Sequence, residues 1–271
     1  MKPMTSIARM ALRSLALLVF LAPGAAQAAC AFGMVERAPL LHRAAFLPAA
    51  APEGTVRISY LGHSSFLIET PQGATAVTDY NGLNVPAGVP DIVSMNNPHS
   101  THYTDTPDPG IRFVLRGWNP AGGLPAHDVK WKDLRVFNVP TNLGETYGGG
   151  RNSSSVFVFE ISNLCIAHLG HLHHILTRDQ LLRIGRIDVL FVPIDGSSTM
   201  SHEQALAVIG QIEPKLVIPM HFGFFGSADA FFERAKANYT IRSEKGSVLV
   251  VDRKSLPRDT EIRFLQAESQ F

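Results

Sequence analysis

Charge is scarce in this chain of 271 residues. Only 17% of residues are charged, and 24 Lys+Arg against 23 Asp+Glu leave a formal +1. So small and even a charge provides no basic face for a nucleic acid. The 45% apolar content is enough for a core and excludes a disordered or coiled-coil chain. Cysteine is nearly absent: Cys30 and Cys165 are far apart and form no metal-type cluster. Long apolar runs are missing as well. Leu15 to Ala22 is roughly half the ~20 residues a spanning helix needs, and no other stretch is long enough. The residue in excess is histidine, 11 in all and mostly bunched.

The first 28 residues read as a secretory signal. Lys2, Arg9 and Arg13 form a basic start, Leu15 to Ala22 an apolar middle, and Ala26-Gln27-Ala28 a small-residue cleavage site. Removing residues 1–28 takes three bases and no acid from the formal +1 and leaves −2. The expected location is periplasmic or secreted, with no stable membrane insertion after cleavage. Lipidation at Cys30 is the competing reading, but Gln27 stands where such signals want an apolar residue. An exported protein is able to pair Cys30 with Cys165. The apolar run around Cys165 instead favours a buried, free thiol. Residues 29–54, rich in Ala and Pro, read as an N-terminal extension, and residues 55–271 as one domain.

From Thr55 the chain reads as short strands: Val56 to Tyr60, Ser65 to Glu69, Ala74 to Asp79, Asp91 to Met95, Leu134 to Val139, Val156 to Ile161 and Leu164 to Ala167. Asn163 sets a hairpin between the last two. Residues 104–128 carry few strong elements. Capping boxes at Thr177–Gln180 and Ser201–Gln204 open two helices, ended by Gly185 and Pro214. Ser227 caps a third. Strands are expected at Val189 to Val192, Leu216 to Ile218 and, last, Val248 to Val251. Antiparallel strands followed by βαβ units imply a layered α/β domain with stacked sheets.

Three loops leave strands carrying histidine: His99 and His102 after Met95, His168 and His171 after Ala167, and His221 after Pro219. Strand ends hold side chains rigidly, and neutral imidazoles converging from separate loops suit a divalent metal. One such histidine is ordinary; three clusters together predict a metal site.

The order of these signals resembles the metallo-β-lactamase superfamily, closest to its lactonase-like and phospholipase D-like hydrolases. Tyr60-Leu-Gly-His63-Ser-Ser-Phe-Leu-Ile-Glu69, Thr78-Asp79, Asn97-Pro-His99-Ser-Thr101-His102, Ala167-His168-Leu-Gly-His171, Asp188 to Pro193, and Pro214 to His221 carry the likeness. It implies an αββα sandwich of two mixed sheets flanked by helices. It also implies His99 and His168 as ligands of one metal position, and His102 and His221 of another. The departures are Asn97 for the first histidine of the H-x-H-x-D-H loop, Thr101 for its aspartate, and His171 for the bridging aspartate. With those carboxylates gone, two close cations would repel, so one ion, zinc by resemblance, is expected.

The implied activity is hydrolysis of an ester, lactone or phosphodiester small molecule at a metal-activated water. His171 and Asp195 are the catalytic candidates, and His173 or His174 is an alternative base. His63 reads as a structural or hydrogen-bonding residue. Trp118 to Gly123 and Tyr147 to Gly150 read equally as substrate-covering loops or plain connections. A non-catalytic metal- or ligand-binding protein of the same fold is the competing reading.

Overall fold

The computed structural model describes residues 50–143, 152–161, 163–223 and 228–266. The signal segment, most of the extension, Cys30, the Tyr147–Gly150 segment and the cap at Ser227 lie outside them. Two mixed sheets face each other. The first has six strands in the order β13-β1-β2-β3-β4-β5: Val248–Val251, Val56–Gly62, Ser65–Glu69, Thr75–Val77, Ile92–Met95 and Phe113–Arg116. The second has eight, β12-β14-β11-β10-β9-β8-β7-β6: Thr240–Ser243, Glu261–Phe264, Leu216–Met220, Val189–Pro193, Leu164–His168, Ser154–Ile161, Leu134–Thr141 and Asp128–Trp131.

Burial follows the strand period. β1 alternates buried and half-buried residues, whereas β9, β10 and β11 are buried throughout, because they are covered on both faces. Phe66 of β2 stacks on Phe191 of β10 across the sandwich, with ring centroids 4.2 Å apart. That contact sits inside the apolar layer between the sheets. Helices α1 (Arg178–Ile184), α2 (His202–Ile212) and α3 (Ala228–Ala235) connect β9, β10, β11 and β12. They cover the outer face of the eight-stranded sheet through Ile184, Ala205, Val208, Ile209 and Phe231. Thr177 and Ser201 cap α1 and α2 with complete capping boxes, as their sequences require.

Among the described residues, the outer face of the six-stranded sheet carries loops in place of helices. Tyr80 and Ile111, with Tyr103 and Trp118 beside them, cover Val77, Val93 and Met95. The connections 78–91 and 96–112 contain Pro86, Pro90, Pro98, Pro107 and Pro109, and proline at that density prevents a continuous helix. Residues 104–128 do hold a whole strand, β5, and the first residue of β6; both are four-residue edge strands with weak patterns. Val248–Val251 is not the last strand. It pairs with β1, and β14 follows, seated in parallel between β11 and β12. At four residues with mixed burial, its pattern is too short to mark it.

Cys165 also needs correction. It is fully buried, but it is disulfide-bonded and not a free thiol. An apolar strand shows that the sulfur is covered without showing what covers it. No helix among the described residues is long and apolar enough to cross a membrane.

Candidate metal centre

One end of the sandwich gathers the turn between β1 and β2 and the C-terminal ends of β3, β4, β9, β10 and β11. These deliver His63, Asp79, His102, His171, Asp195 and His221 in turn. His63, Asp79 and His221 have φ of 53°, 44° and 56°. Left-handed backbone at non-glycine residues is costly and clusters where function fixes geometry. The β1–β2 turn is tied to the end of β11 through main chain, since the His221 N–H donates to the His63 carbonyl at 2.8 Å. The Tyr60 hydroxyl donates to the same carbonyl at 3.0 Å.

His63, His102 and His221 each offer a ring nitrogen, and these atoms all lie within 4.8 Å of one another. Two carboxylates orient two of the rings. Asp79 is fully buried, and its Oδ2 lies 2.6 Å from His102 Nδ1. Asp195 Oδ1 lies 3.3 Å from His221 Nδ1. A carboxylate on Nδ1 places the proton there and leaves Nε2 as the lone-pair donor, the arrangement that orients metal-bound histidines. The Nε2 atoms of His63 and His102 are buried without a hydrogen-bond partner. Such atoms are destabilising unless something satisfies them, so the residues present fit a cation.

The electrostatics agree. Burial, then His221 and His102, lower His63 to about 3. Burial, followed by neighbouring imidazoles, pushes His102 and His171 far below the ordinary histidine range. Neutral rings are the form a metal requires. Burial also raises the Asp79 carboxyl. Burial works against ionising Asp195 too, but hydrogen bonds from His221, the Thr199 hydroxyl and the Ser198 N–H hold it well below the usual carboxylate range.

Of the five histidines expected as ligands, His102, His171 and His221 come together. The His171 ring lies 4.8 Å from that of His102 and 5.0 Å from that of His221, and its Nδ1 is 2.7 Å from His173 Nε2. His99 is exposed at the rim, with Nδ1 on the Thr101 hydroxyl at 2.8 Å and its ring 6.1 Å from His102. His168 sits between the sheets against Phe66 and Phe191, with Nε2 on the Ser64 carbonyl at 2.8 Å. Both oxygens of Asp195 are engaged, by His221 and Thr199 on one side and by the N–H groups of residues 197–199 on the other.

Sequence reasoning missed His63 as a member of the cluster, and also Asn96. The signal for His63 was a fourth strand-end loop, Gly62-His63. Asn96 is fully buried. Its Oδ1 accepts from the His171 N–H and the Ser154 hydroxyl, and its N–H donates to Asp79. Ser64 is no serine-protease-like nucleophile. Its hydroxyl and the Asp79 carboxylate meet the same nitrogen of His102, so no relay crosses the ring.

Comparison with known proteins shows the family. Residues 57–221 match a family model described as a beta-lactamase superfamily domain. A UPF0173 metal-dependent hydrolase of Polaromonas sp. is 28% identical, over 69% of this chain and 83% of its own. Another, from Nanoarchaeum equitans, is 27% identical over 76% and 99%. A solved structure from Thermotoga maritima, a proposed Zn-dependent hydrolase of the metallo-beta-lactamase superfamily, is 26% identical. It superposes with a TM-score of 0.57, covering 78% of this chain and 98% of its own.

Proposed function

The chain belongs to the beta-lactamase superfamily, and on that premise we propose that it is a metal-dependent hydrolase of an ester, lactone or phosphodiester. One ion, zinc, is held by His63, His102 and His221. The observation that carries this is the convergence of three imidazoles from three separate loops, two of them with orphaned buried Nε2 atoms. An all-nitrogen set of this kind suits zinc. When bound, such an ion polarises a carbonyl or phosphoryl oxygen and lowers the pKa of water. Asp79 and Asp195 hold two ligands in the donating tautomer. His171, beside both and bonded to His173, is the group placed to accept a proton or to join the ligands. Asp195, with its oxygens engaged, acts through His221. A disulfide at Cys165 together with the signal-like N-terminus supports export, since disulfides persist in oxidising compartments.

Metal analysis of the purified protein, with turnover on ester, lactone and phosphodiester panels, tests this. His63→Ala, His102→Ala and His221→Ala are each expected to lower both zinc content and turnover. Turnover that survives metal removal rejects the reading. Stoichiometric zinc with no turnover on any panel favours the non-catalytic metal-binding reading.

A further inference from the structure

We infer that Tyr60 is a positioning residue for the centre: its hydroxyl locks the His63 turn to the end of β11 and so fixes two of the three proposed ligands against each other. This rests on the three-histidine reading above and adds to it a residue that would touch no ion.

The His63 turn is strained. Gly62 has φ 120° and His63 φ 53°, and the register of β1 against β2 shifts between Tyr60 and Gly62. Successive residues at positive φ, the second of them carrying a Cβ, persist only where surrounding contacts fix them. His221, with φ 56°, poses the same problem at the end of β11. One carbonyl serves both. A carbonyl oxygen has two lone pairs, and that of His63 accepts from the His221 N–H at 2.8 Å and from the Tyr60 hydroxyl at 3.0 Å. Two donors fix the plane of the 63–64 peptide, and with it the ψ angle of His63. The rings carried by His63 and His221 lie 4.2 Å apart. A turn free to relax from its left-handed conformation would carry the first ring away from the second.

Tyr60 is itself anchored. It is buried, and its N–H donates to the Ser247 carbonyl at 2.8 Å. Its ring packs on Phe66 of β2 and on Phe222, with centroids 5.0 and 5.9 Å away. Phe222 directly follows His221 and packs in turn on Phe264 of β14 at 5.0 Å. One side chain therefore grips both ligand-bearing segments, by its hydroxyl at residue 63 and by its ring at residue 222. Any buried tyrosine needs an acceptor. What distinguishes this one is that its acceptor is the carbonyl that also takes the His221 N–H. The third proposed ligand, His102, is held by Asp79 and Ser64 and stands outside the lock.

The test compares the full-length protein with Tyr60→Phe, which keeps the ring and removes the hydroxyl. The control is Thr70→Val, which removes a buried hydroxyl bonded to Asp133 and to the Ala74 N–H, past the far end of β2. Zinc affinity is read by competition with a chromophoric chelator, ligand geometry by the visible absorption of the cobalt(II) form, and the fold by urea unfolding of chelator-treated protein. Tyr60→Phe is expected to bind zinc about tenfold more weakly and to shift the cobalt(II) bands, while its metal-free midpoint falls no further than that of Thr70→Val. Thr70→Val is expected to keep the affinity and the bands of the unsubstituted chain. Affinity within about threefold in Tyr60→Phe, with unshifted bands, overturns the inference and leaves the three-histidine centre standing. So does an equal loss of affinity in Thr70→Val, which would trace the effect to a general loosening of the sandwich. A metal-free Tyr60→Phe that no longer unfolds cooperatively shows that the hydroxyl supports the whole fold, and also overturns it. An unsubstituted chain that binds neither metal removes the centre, and the inference falls with it.

Discussion

Asp79 and Asp195 do the same job from opposite sheets. Each sits two residues past a strand end and takes the Nδ1 of one imidazole. Asp79→Asn and Asp195→Asn retain an oxygen that can accept from Nδ1–H but lose the charge that makes the ring a better donor. Each is expected to weaken zinc affinity by about 10- to 100-fold, measured by competition with a chromophoric chelator. A change below about threefold in both would show that the carboxylates do not tune the site. Of these roles the sequence showed the histidines and their strand-end positions. It did not show the pairing of carboxylate with ring, because Asp79 and His102 are 23 residues apart and meet only in the folded chain. His168 illustrates the same limit. β9 continues through His168, so the side chain obeys the alternation that also buries Ile166, and lies between the sheets. A shift of one residue in where a strand ends decides which way an imidazole faces.

The loops that carry these side chains are held by small residues at particular positions. Gly170 has φ +57°, and a Cβ there would lie 1.6 Å from the Asn96 side-chain nitrogen. Asn96 in turn joins the β4 loop to β8, to the His171 N–H and to Asp79. Gly170→Ala must therefore either displace Asn96, leaving several buried groups unpaired, or distort the β9 loop. A loss of about 3 kcal/mol or more is expected in urea unfolding, together with lower zinc occupancy. Ser201→Ala removes only the cap of α2 and is expected to cost about 1 kcal/mol with zinc content unchanged. If both variants lose stability equally and neither affects zinc, the Asn96 tie is not what positions the site. The helices were legible to within a residue or two, since capping boxes at Thr177 and Ser201 are local chemistry. The short strands β5, β6, β12 and β14 were not. Four-residue strands with mixed burial acquire their state from a neighbour's hydrogen bonds and not from their own pattern.

For the whole molecule, gathering neutral imidazoles in one buried place links stability to pH. Burial is the first cause of the lowering at His63, to about 3, and at His102, His168 and His171. In the unfolded chain each returns to about 6.5. Between those values the unfolded state binds protons that the folded state refuses, so stability rises with pH across the window. The contribution is complete above about pH 6.5 and is lost as pH falls below it, for His63 down to about 3. Chelator-treated protein should therefore show a urea midpoint that declines steadily from about pH 7 to about pH 5. Zinc adds a second dependence of the same sign, because protons compete with the ion for the same lone pairs. The zinc-loaded protein should start from a higher midpoint at neutral pH and lose it more steeply on acidification. The difference between the two curves reads the ion's share alone. A metal-free midpoint that stays flat over that range would mean the rings are hydrated or charged in the folded state, and neither the orphaned nitrogens nor the three-histidine site would then stand.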